Sequence, residues 1–278
     1  MKISVILPTR KRPEQAQRFL SSLNETCSNP SKIEIILLTD DDDDSYQGLN
    51  SPFKLTNTIS GRRRGLGEII YDGIQRSTGE IIFLCNDDVE AQTPGWDDAL
   101  FRIHKSFADG VYLMSPNDLN KSDKLFVFPV FSRRLSGLLG DFPKAYNGAF
   151  IDSHIHEIFK SLKFRGLDRM VYLDHVKFQH KHFRVTGEVP DTTYKERDRF
   201  ADDWTFFSSV GIRKQSSDRL INIIKKQPEQ NQHTERYFGI LQASLVYLDG
   251  KYVPLFSGIK ILLYLFARWL YKIASGSK

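Results

Sequence analysis

The chain reads as an α/β protein built on a mostly parallel sheet. Residues 3–7, 33–38 and 81–85 are short apolar runs, with the continuous hydrophobicity of strands buried on both faces. The segments between and after them carry apolar residues at helical spacing. Strand, helix, strand, helix, strand in close succession calls for right-handed crossovers and parallel pairing. Ligands of such sheets bind beyond the carboxyl ends of the strands.

Each element has its own signal. Residues 3–7 form the first strand. Pro13 opens a helix at a position where proline is tolerated, and Ala16, Phe19, Leu20 and Leu23 share one face of it. Residues 33–38 are the second strand, and Leu66, Ile69, Ile70 and Ile74 stripe a second helix. The third strand, 81–85, stops abruptly at Asn86-Asp87-Asp88. Pro94 and Gly95 then turn the chain into a helix striped by Trp96, Leu100, Ile103 and Phe107. Further on, Tyr146-Asn147-Gly148 leads into a helix striped by Ile155, Ile158, Phe159 and Leu162, and residues 171–182 read as a strand with a His-rich end. Residues 259–274 mix Leu, Tyr, Phe and Trp with Lys260, Arg268 and Lys272. That run is shorter and more charged than the about 20 apolar residues of a membrane span. A helix lying in the headgroup region fits it, and a core helix is the alternative.

Composition sets the outer limits. The 278 residues suffice for one large domain or one and a half, and 40% hydrophobic with 26% charged residues is globular rather than disordered. A net charge of +5 suits phosphate-bearing ligands or an anionic membrane surface and is too small to imply nucleic acid. Two cysteines, Cys27 and Cys85, make no disulfide framework; Cys85 reads as a small core residue, which favours a reducing compartment. The first residues run straight into a strand, with too short an apolar stretch for a signal peptide.

The chemistry gathers at the strand ends. The first strand runs out into Pro8-Thr9-Arg10-Lys11-Arg12, the second into Thr39 and five aspartates, the third into Asn86-Asp87-Asp88. Adjacent carboxylates at the end of a buried strand are costly unless a cation sits there, and a divalent metal carrying a diphosphate meets that need. Arg62, Arg63 and Arg64, between Gly61 and Gly65 and just before a helix start, suit an anion or form a solvated basic loop. Residues 41–44 read as a solvated loop. His154 and His156, two apart on a helix, face different ways and are discounted as a zinc pair.

The segments ISVILPTRKRPEQAQRFLSSL, IEIILLTDD and GEIIFLCNDDVEAQTPGWDDAL resemble the family 2 glycosyltransferases, strongly over the first half and more weakly to about Phe207. The resemblance implies the GT-A fold: a Rossmann-like, mostly parallel sheet flanked by helices, here with a helical C-terminal extension. It implies a domain over 1–207, with a donor half of about 1–115 and an acceptor half of about 116–207, followed by an extension over 208–278. By resemblance, Thr9 and Asp40 hold the nucleobase, with Asp40 leaning towards uracil; Arg10, Arg64 and Asp87 complete the nucleotide site. Asp88 and Asp87 bind Mn²⁺ or Mg²⁺, and His180 of His180-Lys181-His182 joins the metal shell or touches the donor phosphate. Asp152 is the expected base, helix capping being its other reading; Asp203, Asp202 and Asp168 are the alternatives.

The function so implied is metal-dependent, inverting transfer of a sugar from a nucleoside diphosphate, a UDP-sugar by preference. The acceptor is a hydroxyl of a glycan or lipid-linked molecule in surface polysaccharide synthesis. The expected place is the cytoplasm, peripheral on the inner face of the cell membrane through 259–274, with no nucleic-acid partner. Two other classes remain open: a non-catalytic glycan- or nucleotide-binding protein on the same scaffold, and a nucleotidyltransferase. The latter would favour a glycine-rich, Lys-containing loop where Thr9-Arg10-Lys11-Arg12-Pro13 stands.

Overall fold

The computed structural model of the chain describes residues 1–60, 65–182, 187, 198, 200–226 and 237–275. It has the expected α/β class and divides into two compact units, Met1–Ala145 with Val171–Arg197, and Tyr146–Met170 with Asp198–Lys278. This grouping puts the helix of Asp152 with the C-terminal helices, whereas the sequence division falls at residue 207.

The first unit is organised by the sheet. Its strands are β1 (Ile3–Pro8), β2 (Ile33–Asp40), β3 (Lys54–Ser60), β4 (Ile81–Leu84), β5 (Val89–Ala91), β6 (Leu113–Asn117), β7 (Val130–Ser132) and β8 (Met170–His180). Their order is β3-β2-β1-β4-β7-β6-β8-β5. The first four run parallel, while β7 pairs antiparallel with both β4 and β6, and β5 antiparallel with β8. The apolar runs of the sequence became β1, β2 and β4, buried as expected. β3 has no such run. It is an edge strand, with Lys54 and Asn57 exposed, so burial left no continuous hydrophobic mark on it.

Helices α1 (Pro13–Thr26), α2 (Leu66–Arg76), α3 (Trp96–Ser106) and α4 (Arg133–Leu138) belong to this unit. α1 buries its whole stripe, Ala16, Phe19, Leu20 and Leu23, while α2 buries Ile70 and Ile74 of its stripe and α3 buries Trp96 and Leu100. Phe178 of β8 meets Phe83 of β4 and Trp96 of α3 edge to face, with ring centroids 5.4 and 5.6 Å apart, and Phe83 and Trp96 are tilted together at 6.0 Å. Such pairs add about 0.5–1.5 kcal/mol each beyond their area burial, and this one ties the distant β8 to the front of the sheet.

The amino-terminal end of the sheet is locked by Glu34. Its buried carboxylate accepts from Ser4 Oγ at 2.6 Å, from Thr78 N at 2.6 Å and from Gly79 N at 3.1 Å. Burial pushes this carboxyl towards its neutral form, but the bonds from Ser4 and Thr78 and the nearby Lys2 charge outweigh it and hold its pKa below the ordinary range. Gly79 is required there: a Cβ would lie 2.6 Å from the Lys2 carbonyl oxygen.

The second unit is helical: α5 (Ile151–Phe164), α6 (Asp203–Ser208), α7 (Val210–Ile224), α8 (Ile240–Leu248) and α9 (Leu255–Ser275). Its buried centre is polar as well as apolar. Arg213, fully buried, donates to Glu157 at 2.8 Å, to the Phe206 carbonyl at 2.6 Å, to Ser209 Oγ at 2.8 Å and to Tyr247 OH at 2.5 Å. A buried guanidinium is tolerated when its N–H groups are so engaged. His154 is committed here as well, its Nδ1 lying 2.6 Å from Tyr146 OH, and burial together with the Arg213 charge lowers its pKa well below the ordinary value.

Candidate functional site

Parallel register delivers three polar strand ends to one edge. Pro8 of β1 lies opposite Leu38 of β2, and Ile6 opposite Leu84 of β4. Thr9 N donates to the Leu38 carbonyl at 3.0 Å and Cys85 N to that of Ile6 at 3.1 Å, so pairing persists to the last residue before each polar turn. Thr9, Arg10, Asp40, Asp87 and Asp88 therefore emerge side by side, and Asp40, Asp87 and Asp88 are buried.

Asp87 is the best-supported of these carboxylates. Thr9 Oγ1 donates to its Oδ2 at 2.7 Å, and Arg12 Nη1 reaches its Oδ1 at 3.2 Å. Thr9 has one hydroxyl proton, already given to Asp87, so Tyr46 OH is the donor in the 2.7 Å contact with Thr9 Oγ1. The same Tyr46 oxygen accepts from Arg12 N at 3.0 Å. A Tyr46–Thr9–Asp87 relay thus fixes the carboxylate. Burial raises the Asp87 pKa to about 6 with help from Asp88, against the Arg12 charge and the Thr9 bond. Burial also lifts the Tyr46 phenol to about 12, so it stays protonated as the relay requires.

Asp88 belongs to a second pair. His180 Nε2 lies 3.3 Å from Asp88 Oδ1, both side chains nearly sealed from solvent. That nitrogen has no hydrogen-bond partner among the described residues. The antiparallel pairing of β5 with β8, Val89 opposite His180, carries it there, and Lys181 N donates to the Asp88 carbonyl at 2.7 Å. An imidazole nitrogen left without a hydrogen bond beside a buried carboxylate is chemistry that a divalent cation would engage. The residues thus fit a divalent metal, and an imidazole suits Mn²⁺ better than Mg²⁺. Among the described residues no group of three or more His, Cys, Asp or Glu gathers around one point.

Arg10 turns towards the aspartate run. It pairs with Asp40 and holds Asp42 through two bonds, at 2.7 and 2.9 Å. The Asp42 bond and then Asp40 raise its pKa against the cost of burial. Asp43 takes Lys11 N, with Lys11 in the left-handed region at φ 52°. The loop 41–44, read from sequence as merely solvated, therefore shapes the β1–α1 turn through Asp42 and Asp43. The sequence reading also missed Arg12 and Tyr46. Arg12 was visible in its basic cluster, but Tyr46 had no local signal, since its partners lie more than thirty residues away.

The other carboxylates expected from sequence sit in the second unit. Asp152 lies in the first turn of α5, half-buried, with Oδ1 accepting from Ser153 N at 2.7 Å. Asp202, buried, accepts from Asn147 N at 2.7 Å, Gly148 N at 2.8 Å, Ala149 N at 2.6 Å and Asn147 Nδ2 at 3.2 Å. Four N–H donors converge on one carboxylate, and its geometry is that of an anchor for the turn before Asp152. Asp203 is gripped by Arg268 of α9 at 2.7 to 3.0 Å, and Asp168 pairs with Lys163 at 2.8 Å on the surface. Arg64 lies outside the described residues.

The sequence model described as glycosyl transferase family 2 matches residues 4–156, more than half of the chain. No curated protein matches it. Among solved structures, S. aureus TarS 1-349 in complex with UDP-GlcNAc aligns at 12% identity and TM-score 0.56, over 81% of this chain and 73% of that one. The mannosyltransferase PcManGT from Pyrobaculum calidifontis, in complex with GDP-Man and Mn²⁺, aligns at 19% identity and TM-score 0.52, over 100% of this chain and 76% of that one. The chain covers 49% of a longer S. aureus TarS structure, about half its length. At these identities the structural likeness speaks for the fold, which is GT-A. The family match covers β1, β2, β4 and the carboxylates between them, and by it the chain belongs to glycosyl transferase family 2 and is a glycosyltransferase.

Proposed function

We propose that the protein is a metal-dependent, inverting transferase that moves a sugar from a nucleoside diphosphate, a UDP-sugar by preference, to a hydroxyl of a glycan or lipid-linked acceptor in surface polysaccharide synthesis. The observation that carries this reading is the buried pair Asp87 and Asp88, with His180 3.3 Å from Asp88, beside Thr9, Arg10 and Arg12. A buried acidic pair with cationic neighbours suits a diphosphate bound through a cation, and the two neighbours crystallised with nucleotide sugars have the same fold.

The residues divide the work. Asp88 and His180, with Asp87, would hold Mn²⁺ or Mg²⁺. When bound, that metal supplies Lewis-acid neutralisation of the diphosphate charge. Thr9 and Asp40 would hold the nucleobase and Arg10 a donor phosphate, with Arg64 assigned the same role from sequence alone. Arg12 holds Asp87 and adds positive charge for the departing diphosphate. Asp152 would take the proton from the acceptor hydroxyl as it attacks the anomeric carbon, a contribution of typically 10²–10⁴-fold. Asp203, Asp202 and Asp168 are the alternatives; Asp203 is bonded to Arg268, Asp202 to the turn 147–149 and Asp168 to Lys163. The protein would work in the cytoplasm, touching the inner face of the membrane through 259–274; no helix among the described residues is long and apolar enough to cross one.

Calorimetry with UDP, dTDP, GDP and CMP, each with and without Mn²⁺, tests the donor site. The expected result is metal-dependent binding of UDP that Asp88→Ala removes. Failure of every nucleotide to bind with metal present would overturn it. Product analysis then separates transfer, which releases a nucleoside diphosphate, from nucleotidyl transfer, which releases pyrophosphate.

A further inference from the structure

Helix α9 is apolar on two opposite faces. Its inner face is fixed within its own unit. Gly258 lies so close to the Tyr247 carbonyl that a Cβ would come within 1.9 Å of that oxygen. Ile261 and Leu262 pack on the cluster of Val210, Ala243, Tyr247 and Tyr252, and Arg268 grips Asp203. The opposite face carries Phe256, Ile259, Leu263, Phe266, Leu270 and Ile273, at alternating spacings of three and four, and all six are exposed. Helix α8 repeats the pattern: Ala243 and Tyr247 are buried, while Ile240, Leu241, Leu245 and Leu248 are exposed, Leu241 at 73%. So much apolar surface on adjoining helices marks a contact site.

The residues around the stripe decide between occupants. By helical position, Trp269 borders it on one side and Tyr264 and Tyr271 on the other, all three exposed. These are side chains with an apolar body and a polar tip, suited to the boundary between headgroups and acyl chains. Lys260 is exposed and lies over the Phe256 ring at 4.5 Å, and Lys251 is exposed in the α8–α9 connection. Residues 240–275 hold four Lys or Arg and a single acid, Asp249. A second copy of the helix would need opposite charges flanking the stripe, and a self-paired α9 has only cations to offer.

We infer that the outer faces of α8 and α9 together form a docking surface for an anionic lipid bilayer, on which the helices lie in the plane of the headgroups. This deepens the peripheral-contact reading of 259–274 by adding α8 and naming the lipid charge, and it does not depend on the donor site. Because Gly258, Ile261, Leu262 and Arg268 all work on the inner face, docking leaves the helix seated on its own unit.

Flotation of the full chain with vesicles tests this. Phosphatidylcholine vesicles containing phosphatidylglycerol should carry the protein up the gradient, less so in high salt, and pure phosphatidylcholine should carry far less. Leu263→Ser/Phe266→Ser/Leu270→Ser should weaken binding by about tenfold or more, and Lys251→Glu/Lys260→Glu should remove the preference for the anionic lipid. Both variants alter exposed positions, so UDP binding should match the wild type where that site is active. Wild-type protein that stays with the buffer, or floats equally with both vesicles, would overturn the inference. So would a wild-type dimer in sedimentation that the triple serine variant turns into monomer, since a second copy would then own the face.

Discussion

Asp152 and its three rivals are distinguished by what already holds them. Asp202 spends its oxygens on the backbone of residues 147–149, and Asp203 on Arg268. With Asp152 as the proposed base, Asp152→Asn is expected to lower kcat by about 10²–10⁴-fold with donor KM unchanged. An equal loss of donor binding in calorimetry would mean that Asp152 acts on the donor instead. Asp202→Asn should behave differently, because it loses the charge that gathers three backbone N–H groups. Its expected mark is a thermal shift equivalent to about 1–3 kcal/mol, and an unchanged melting temperature would remove the anchor role. At the other site, Tyr46→Phe removes the hydroxyl that orients Thr9 by donating to its Oγ1 and that accepts from Arg12 N, and so loosens both partners of Asp87. Metal-dependent UDP binding should weaken in that variant while Tyr46→Ala loses more, having also lost buried ring area.

Elements depend on single buried partners in both units. α5 and α7 are joined by the Glu157–Arg213 pair, with Tyr247 of α8 as a third member. Removing one member of such a pair leaves a buried charge uncompensated, a cost of about 3–5 kcal/mol. Arg213→Met is expected to shift the urea midpoint accordingly, and Arg213→Met with Glu157→Leu to recover most of the loss. A double variant no more stable than the single would show that bonds to Ser209 and the Phe206 carbonyl, rather than the charge pair, carry the element. The sheet's equivalent is Gly79, between α2 and β4. There any side chain meets the Lys2 carbonyl, and Gly79→Ala should disturb the Glu34 lock as well.

Over the whole molecule, acid is expected to destabilise the fold from two directions. Glu34 has a folded pKa below its unfolded value, so its contribution is complete above about pH 4.5 and lost as pH falls through the folded pKa. His154 is held neutral, with a folded pKa well below 6.5; the unfolded chain gains its proton first, and stability drops as pH falls below about 6.5. Urea midpoints measured from pH 7 to 3 should fall in both stages. Glu34→Gln should flatten the lower stage and leave the upper one; an unaltered lower stage would assign it to other carboxylates.

The sequence by itself determined the α/β class, the strands β1, β2, β4 and β8, the helices α1, α2, α3, α5 and α9, and the acidic and basic turns at the strand ends. Those features are written in local periodicity, because a strand buried on both faces must be apolar throughout and a helix must keep its stripe. Tertiary structure decided the rest. β3 is legible only through its register with β2, since an edge strand needs no apolar run. Tyr46 reaches Thr9 across 37 positions, and His180 comes beside Asp88 because β8 turns back on β5. Asp202 and Asp203 look like interchangeable acids in the sequence, and become an anchor for one turn and a partner for Arg268 only when α5, α6 and α9 are brought together. A contact between distant residues has no period and no fixed spacing, so only the folded chain can specify it.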